Sequence, residues 1–192
     1  MGLKIQIILS VICIFLFVPQ IAHSDLTPAE HNGSYFGFGF GHGSAGLNVR
    51  DFPVEMGREN GLSINLRLGA ANSQNTLFGL EIDIWLKNEN STTIQFHNYA
   101  IGLMHYFSDY FFIKVGPAFT KTFLNTRGRT SSESGFGVVL GGGIEARMGK
   151  KFALVPSFQY IYQEYHDFSS NFYSIILGFS WFFSEEGDEL SK

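Results

Sequence analysis

Six ionisable side chains stand out in this 192-residue chain: Arg67, Glu81, Asp83, Lys114, Glu145 and Arg147. Each sits between apolar neighbours, as in Leu66-Arg67-Leu68, Leu80-Glu81-Ile82 and Ile113-Lys114-Val115. In a strand, successive side chains point to opposite faces. The charges therefore share a face with Gly, Ala and Ser, while Leu, Ile and Phe take the other. Three cations and three anions on one face suit either a paired network that fixes strand register or a gate for ions. Unpaired buried charge is costly, so the paired network is expected. Arg67 should face Glu81 across the turn at 72 to 75, and Arg67, Glu81, Lys114 and Glu145 should form one layer.

A second group carries the residue types of acyl hydrolysis: His166, Asp167, Ser169, Ser170 and Asn171, with Glu164 beside them. A serine activated by a histidine and an acid is one route to a covalent intermediate. The same residues also make an ordinary polar loop, which is the expectation here. The six histidines offer no zinc-ligand spacing. The one cysteine, Cys13, lies in the N-terminal apolar run. No metal and no cofactor is expected. Gly39, Gly41 and Gly43 lack the strand-turn-helix setting of a phosphate loop. Arg127 and Arg129 could meet phosphates or a polyanion, but a solvated loop is the simpler reading.

The elements that must position these groups are strands. Residues 1 to 24 read as a secretory signal peptide: Lys4, then the apolar run Ile5 to Val18, then Ala22-His23-Ser24 before the cut. Cleavage would remove the only thiol and take the formal charge from −4 to −5. That mild acidity argues against nucleic acid as a partner. After a polar lead-in at 25 to 33, eight alternating segments follow. They are expected at 34–41, 62–70, 76–86, 92–107, 110–123, 135–148, 152–162 and 172–183. Long polar loops are expected at 42 to 60, 125 to 134 and 164 to 170, with a shorter one at 87 to 91. A bulge near His97-Asn98 would reconcile Ile94 and Phe96 with the opposite parity of Tyr99, Ile101 and Leu103. Pro117 predicts a local irregularity.

The face opposite the bulky residues is mostly glycine and small residues, which makes a poor solvent surface and a good narrow lumen. Large groups then meet lipid, where only closed barrels and helices satisfy every backbone group. The expected fold is an all-β, eight-stranded antiparallel up-and-down transmembrane barrel at 25–183, with a short acidic tail at 184–192. Interface belts are expected from Phe107, Tyr110, Phe111, Phe152, Trp181 and Phe183 at one rim, and from Trp85, Phe123, Tyr162 and Tyr165 at the other.

The signal peptide, the glycine-rich alternation from Phe136 to Arg147 and the aromatic end at Phe183 resemble the small outer membrane protein A-like or opacity-like barrels. That resemblance implies the outer membrane of a Gram-negative bacterium and insertion by the barrel assembly machinery reading the C-terminal strand. It implies contact with outer-membrane lipid and lipopolysaccharide, and a monomer. It also implies a non-enzymatic structural or surface-interaction role through the outer loops, with no peptidoglycan-binding domain. A narrow channel for small or apolar solutes is the first alternative. A lipid A-modifying acyl hydrolase is the second, although Ser169 and Ser170 depart from the spacing of such enzymes, which place serine two residues after histidine.

Overall fold

The computed structural model describes residues 31–49, 56–89, 92–127, 129–149 and 151–183. The signal-peptide region and the tail at 184–192 lie outside the described residues. Within them the chain forms eight strands: β1 Ser34–Val49, β2 Met56–Ser73, β3 Thr76–Glu89, β4 Thr92–Tyr106, β5 Phe111–Thr126, β6 Arg129–Ile144, β7 Phe152–Glu164 and β8 Phe168–Phe183. β6 breaks at Glu145 and resumes over Ala146–Arg147, where it still pairs with β7. Each strand runs antiparallel to its neighbours in sequence. β1 pairs with β2 on one side and with β8 on the other, from Ser34↔Phe183 to Val49↔Phe168, which closes the sheet into a barrel.

Alternation decides which side chains face out. Leu80, Phe136 and Leu68 are 61%, 73% and 58% exposed, and Phe40, Ile101, Ile113, Phe119, Phe158 and Leu177 are exposed with them. Burying each such side chain stabilises a protein by about 1.5–3 kcal/mol. A soluble barrel would forgo that gain all the way round, whereas in a bilayer the hydrocarbon covers the belt. The belt is reinforced beside the closing seam, where Phe36, Phe38, Phe40, Phe152 and Phe179 pack around Trp181 or one another with ring centroids 5.2–6.4 Å apart.

The inward glycines make room for two large rings. A Cβ on Gly69 would lie 2.8 Å from the Tyr35 ring, and one on Gly61 would lie 2.6 Å from the Trp85 indole.

The strands are longer than the apolar alternation predicts. β2 has 18 residues and β1, β5, β6 and β8 have 16 each, against roughly 9–11 needed to span a bilayer. The expected loops at 42 to 60 and 125 to 134 are largely ladder. β1 pairs with β2 out to Leu47↔Met56, and β5 pairs with β6 out to Thr126↔Arg129. The segment at 164 to 170 is a short turn entering β8. The polar loop at 87 to 91 shrinks because Glu89 pairs with Thr92. Beyond the membrane both faces of a hairpin meet water, so apolar alternation ends while the backbone ladder continues.

β4 has no bulge at His97-Asn98; its register with β3 and β5 runs through both residues. Phe96 keeps strict parity and points inward, into an apolar layer of the lumen. At Pro117 the pairing with β4 skips from Ala100↔Ala118 to Leu103↔Val115, while Pro117 stays opposite Val138 on β6.

Candidate functional site

The lumen is filled in three tiers. The lowest sits at the end carrying the turns near 74, 108 and 149. There Tyr35, Leu77, Met104, Tyr106, Phe112, Val155 and Phe182 pack together. His31, just before β1, is buried against this tier, its ring 4.1 Å from that of Tyr106. Both its ring nitrogens face oxygen acceptors: Nδ1 lies 2.7 Å from the Gln74 carbonyl and Nε2 3.2 Å from Glu145 Oε1. Glu145 also accepts from Arg147 Nε at 2.7 Å and from the Tyr106 hydroxyl. The Arg147 guanidinium lies 3.7 Å over the Phe182 ring. The break at Glu145 frees its backbone from the β6 ladder, and its N–H donates to the Tyr110 carbonyl instead.

The middle tier is polar. Lys114 donates to Glu81 and, at 2.7 Å, to Gln159 Oε1. Asn65 bridges the two acids, 2.5 Å from Glu81 and 2.7 Å from Asp83. Gln159 donates to Asp83 at 2.7 Å. Above them Gln163 donates to Asn98 and accepts from Ser170. Arg67 stands opposite Glu81 in the β2–β3 register, but its Nε and Nη2 have no hydrogen-bond partner among the described residues. Its role here is charge balance: two cations and two acids share a buried interior. The top tier is apolar again, with Trp85, Phe96, Ala100, Ala118, Val139, Ile161 and Phe172 buried and Leu47 and Ile94 against them.

All six charged residues singled out from the sequence are buried on the inward face, but the four expected in one layer are divided between two. Arg67, Glu81, Asp83 and Lys114 share the middle tier. Glu145 and Arg147 belong to the lower tier, because the strand break drops Glu145 to the level of His31. Glu81 takes its hydrogen bonds from Lys114 and Asn65, not from Arg67. His31 escaped the sequence reading because a histidine in a polar lead-in carries no periodic signal. An acid beside an arginine so near a turn was the one hint that a further donor sits nearby.

Of the rim aromatics, Phe107, Phe111 and Phe183 are exposed, and Phe107 stacks on Phe111 at 6.1 Å. Tyr110 and Trp181 are half-buried. Trp85 and Tyr165 do not join the outer belt. Trp85 is buried in the lumen 5.5 Å from Phe96, since its parity is inward. Tyr165 is buried against Phe168 at 4.4 Å. Phe123 is half-buried beneath His97 and Lys121, and Tyr162 is exposed.

The catalytic residue types near 166 to 171 do not converge. The exposed His166 side chain approaches Asp167 at 3.7 Å, and its backbone N–H donates to Glu133. Ser170 points into the lumen toward Gln163.

Above the top tier the strands continue past the packed lumen. The inward parity of β2 to β6 continues there through Glu59, Lys87, Thr92, Leu124, Thr126, Arg129 and Ser131. Lys87 is gripped by Glu59 and Glu89, whose hydrogen bonds hold its ammonium above the usual lysine range. Arg127 opens the two-residue connection between β5 and β6 with a φ of 49°, a left-handed conformation costing an ordinary residue about 1–2 kcal/mol.

No family model and no curated protein matches this chain. Solved structures do. Neisserial surface protein A aligns at 12% identity over 79% of this chain and 100% of its own, with a TM-score of 0.60. The fold is that of the small eight-stranded outer-membrane barrels. Ail, the attachment invasion locus protein of Yersinia pestis, aligns at 14% identity over 78% of this chain and 98% of its own, TM-score 0.53. The outer membrane protein AlkL, solved in lipid bilayers, aligns at 12% over 84% and 95%, TM-score 0.51.

Proposed function

We propose that this chain is a sealed outer-membrane barrel that works through its projecting hairpins as a surface-interaction protein. The observation that carries this reading is the lumen, which is filled by packed side chains at three successive levels. A path for solutes would need the ion-paired middle tier and both apolar tiers to part together. The hairpins, in contrast, extend well past the apolar belt and end in exposed polar and charged groups. Export by the N-terminal signal segment and insertion through the C-terminal strand ending at Phe183 complete the proposal, with the bilayer and its lipopolysaccharide as immediate surroundings.

Planar-bilayer recording of the refolded mature chain tests it. No stepwise conductance is expected; reproducible steps would replace this reading with the narrow channel. On cells, shortening the β5–β6 hairpin from 125–130 should reduce attachment to a surface without changing the amount of folded barrel.

A further inference from the structure

We infer that His31 is a proton-set latch: docked in the lower mouth of the barrel it holds a proton on each ring nitrogen, and loss of one proton releases the lead-in before β1. The latch lies at the opposite end from the projecting hairpins and works without them.

The lead-in is held at few points. Gly33, directly before β1, has a φ of 81°, which L side chains rarely adopt, and its carbonyl accepts from the Ala71 N–H at 2.8 Å. Asn32 and Gly33 are exposed, whereas His31 is buried. The imidazole is therefore the part of this segment that the barrel encloses. Its ring centroid lies 4.1 Å from that of Tyr106 and 5.6 Å from that of Phe182.

The partners of the ring decide how many protons it carries. The Gln74 backbone carbonyl, 2.7 Å from Nδ1, can only accept. Glu145 presents both carboxylate oxygens to Nε2, at 3.2 and 3.4 Å. Those oxygens already accept from Arg147 Nε and from the Tyr106 hydroxyl. A neutral imidazole has one donor nitrogen and one acceptor nitrogen; only the imidazolium donates from both. Acceptors on both sides suit the doubly protonated ring. In the neutral ring one buried oxygen faces a lone pair, and a buried acceptor that loses its donor costs stability. Docking thus takes up a proton. Falling pH closes the latch, and rising pH opens it.

The surrounding groups allow the latch to open without undoing the barrel. Glu145 and Arg147 come from either side of the β6 break, Tyr106 from β4, and Tyr35 from β1, where it packs on Phe182 of β8 at 6.0 Å. The β2–β3 turn brings the Gln74 carbonyl, and the β4–β5 turn brings the Tyr110 carbonyl that receives the Glu145 N–H. Arg67 of β2 stands in the tier above. When the imidazolium charge leaves, Glu145 and Arg147 still balance each other, 2.7 Å apart.

The test uses the full mature chain refolded in detergent micelles and titrated from about pH 5 to 8, the range in which histidines change charge. Nitrogen NMR of histidine-labelled protein reads the ring directly, with the His31 signals assigned by their loss in His31→Gln. The docked ring should show protons on both nitrogens. A spin label on Asn32→Cys reads release: its mobile fraction should grow with pH. In the His31→Gln background that fraction should be high throughout and lose its pH dependence. A singly protonated docked ring overturns the latch, as does label mobility that stays constant across the titration without His31→Gln. Mobility that rises only together with loss of the folded band on gels also overturns it, because the barrel itself would then be opening.

Discussion

The two ends of the lumen are built to opposite specifications. At the lower end the buried charged groups are engaged: Glu145 collects His31, Tyr106 and Arg147, and Phe182 lies under the guanidinium. At the upper end the apolar tier stops the barrel, and above it Lys87 pairs with Glu59 and Glu89 while two arginines stay exposed. Arg127 and Arg129 are exposed with no partner among the described residues, Arg127 in a left-handed backbone conformation. A barrel that needed only to stand in a membrane would be finished by the first arrangement. The second adds cost to the fold without adding stability, which is what the proposed surface role would call for.

Substitutions can break or sharpen this contrast. The largest effect is expected from Glu145→Ala, which strips an acceptor from three buried donors. Leaving buried charge uncompensated costs about 3–5 kcal/mol, and this variant should fall near the top of that range. Urea titration in detergent, read by tryptophan fluorescence, measures it. Glu81→Ala should cost about 3 kcal/mol, less than Glu145→Ala because Lys114 keeps Gln159. Adding Lys114→Met should recover much of the loss, which the same titration would show. His31→Ala should cost about 1.5–3 kcal/mol by removing hydrogen bonds to a charged group. If it costs nothing, the lower end is closed by the strands alone. The smallest change is opposite in sign: Arg127→Asn should stabilise the barrel by up to about 1 kcal/mol by relieving the left-handed turn.

The fold was readable because a strand in a bilayer writes its two environments into alternate residues. Inward charges such as Arg67 and Glu81, and their cross-strand opposition, followed from parity and one turn. What escaped lay where that contrast ends. Thr126 and Ser131 belong to strands wet on both faces, and they read as loop. Phe96 and Trp85 are bulky residues facing inward; they looked like a bulge and a belt because parity was weighed less than size. The choice of Lys114 over Arg67 as partner for Glu81 depends on distances across the barrel, which no single strand encodes. His31 was invisible because its ring is placed by groups 43 and 114 residues away in the chain.

The seam between β1 and β8 has a consequence for how the molecule comes into being. Every residue of β1 finds its partner in the strand synthesised last. Until that strand arrives, the nascent sheet has two raw borders, each able to join a neighbouring chain. Closure depends on the most distant contacts, and such contacts form slowly. The unclosed polypeptide must be chaperoned as a whole, and any shortened product lacking Phe168–Phe183 would remain an open ribbon.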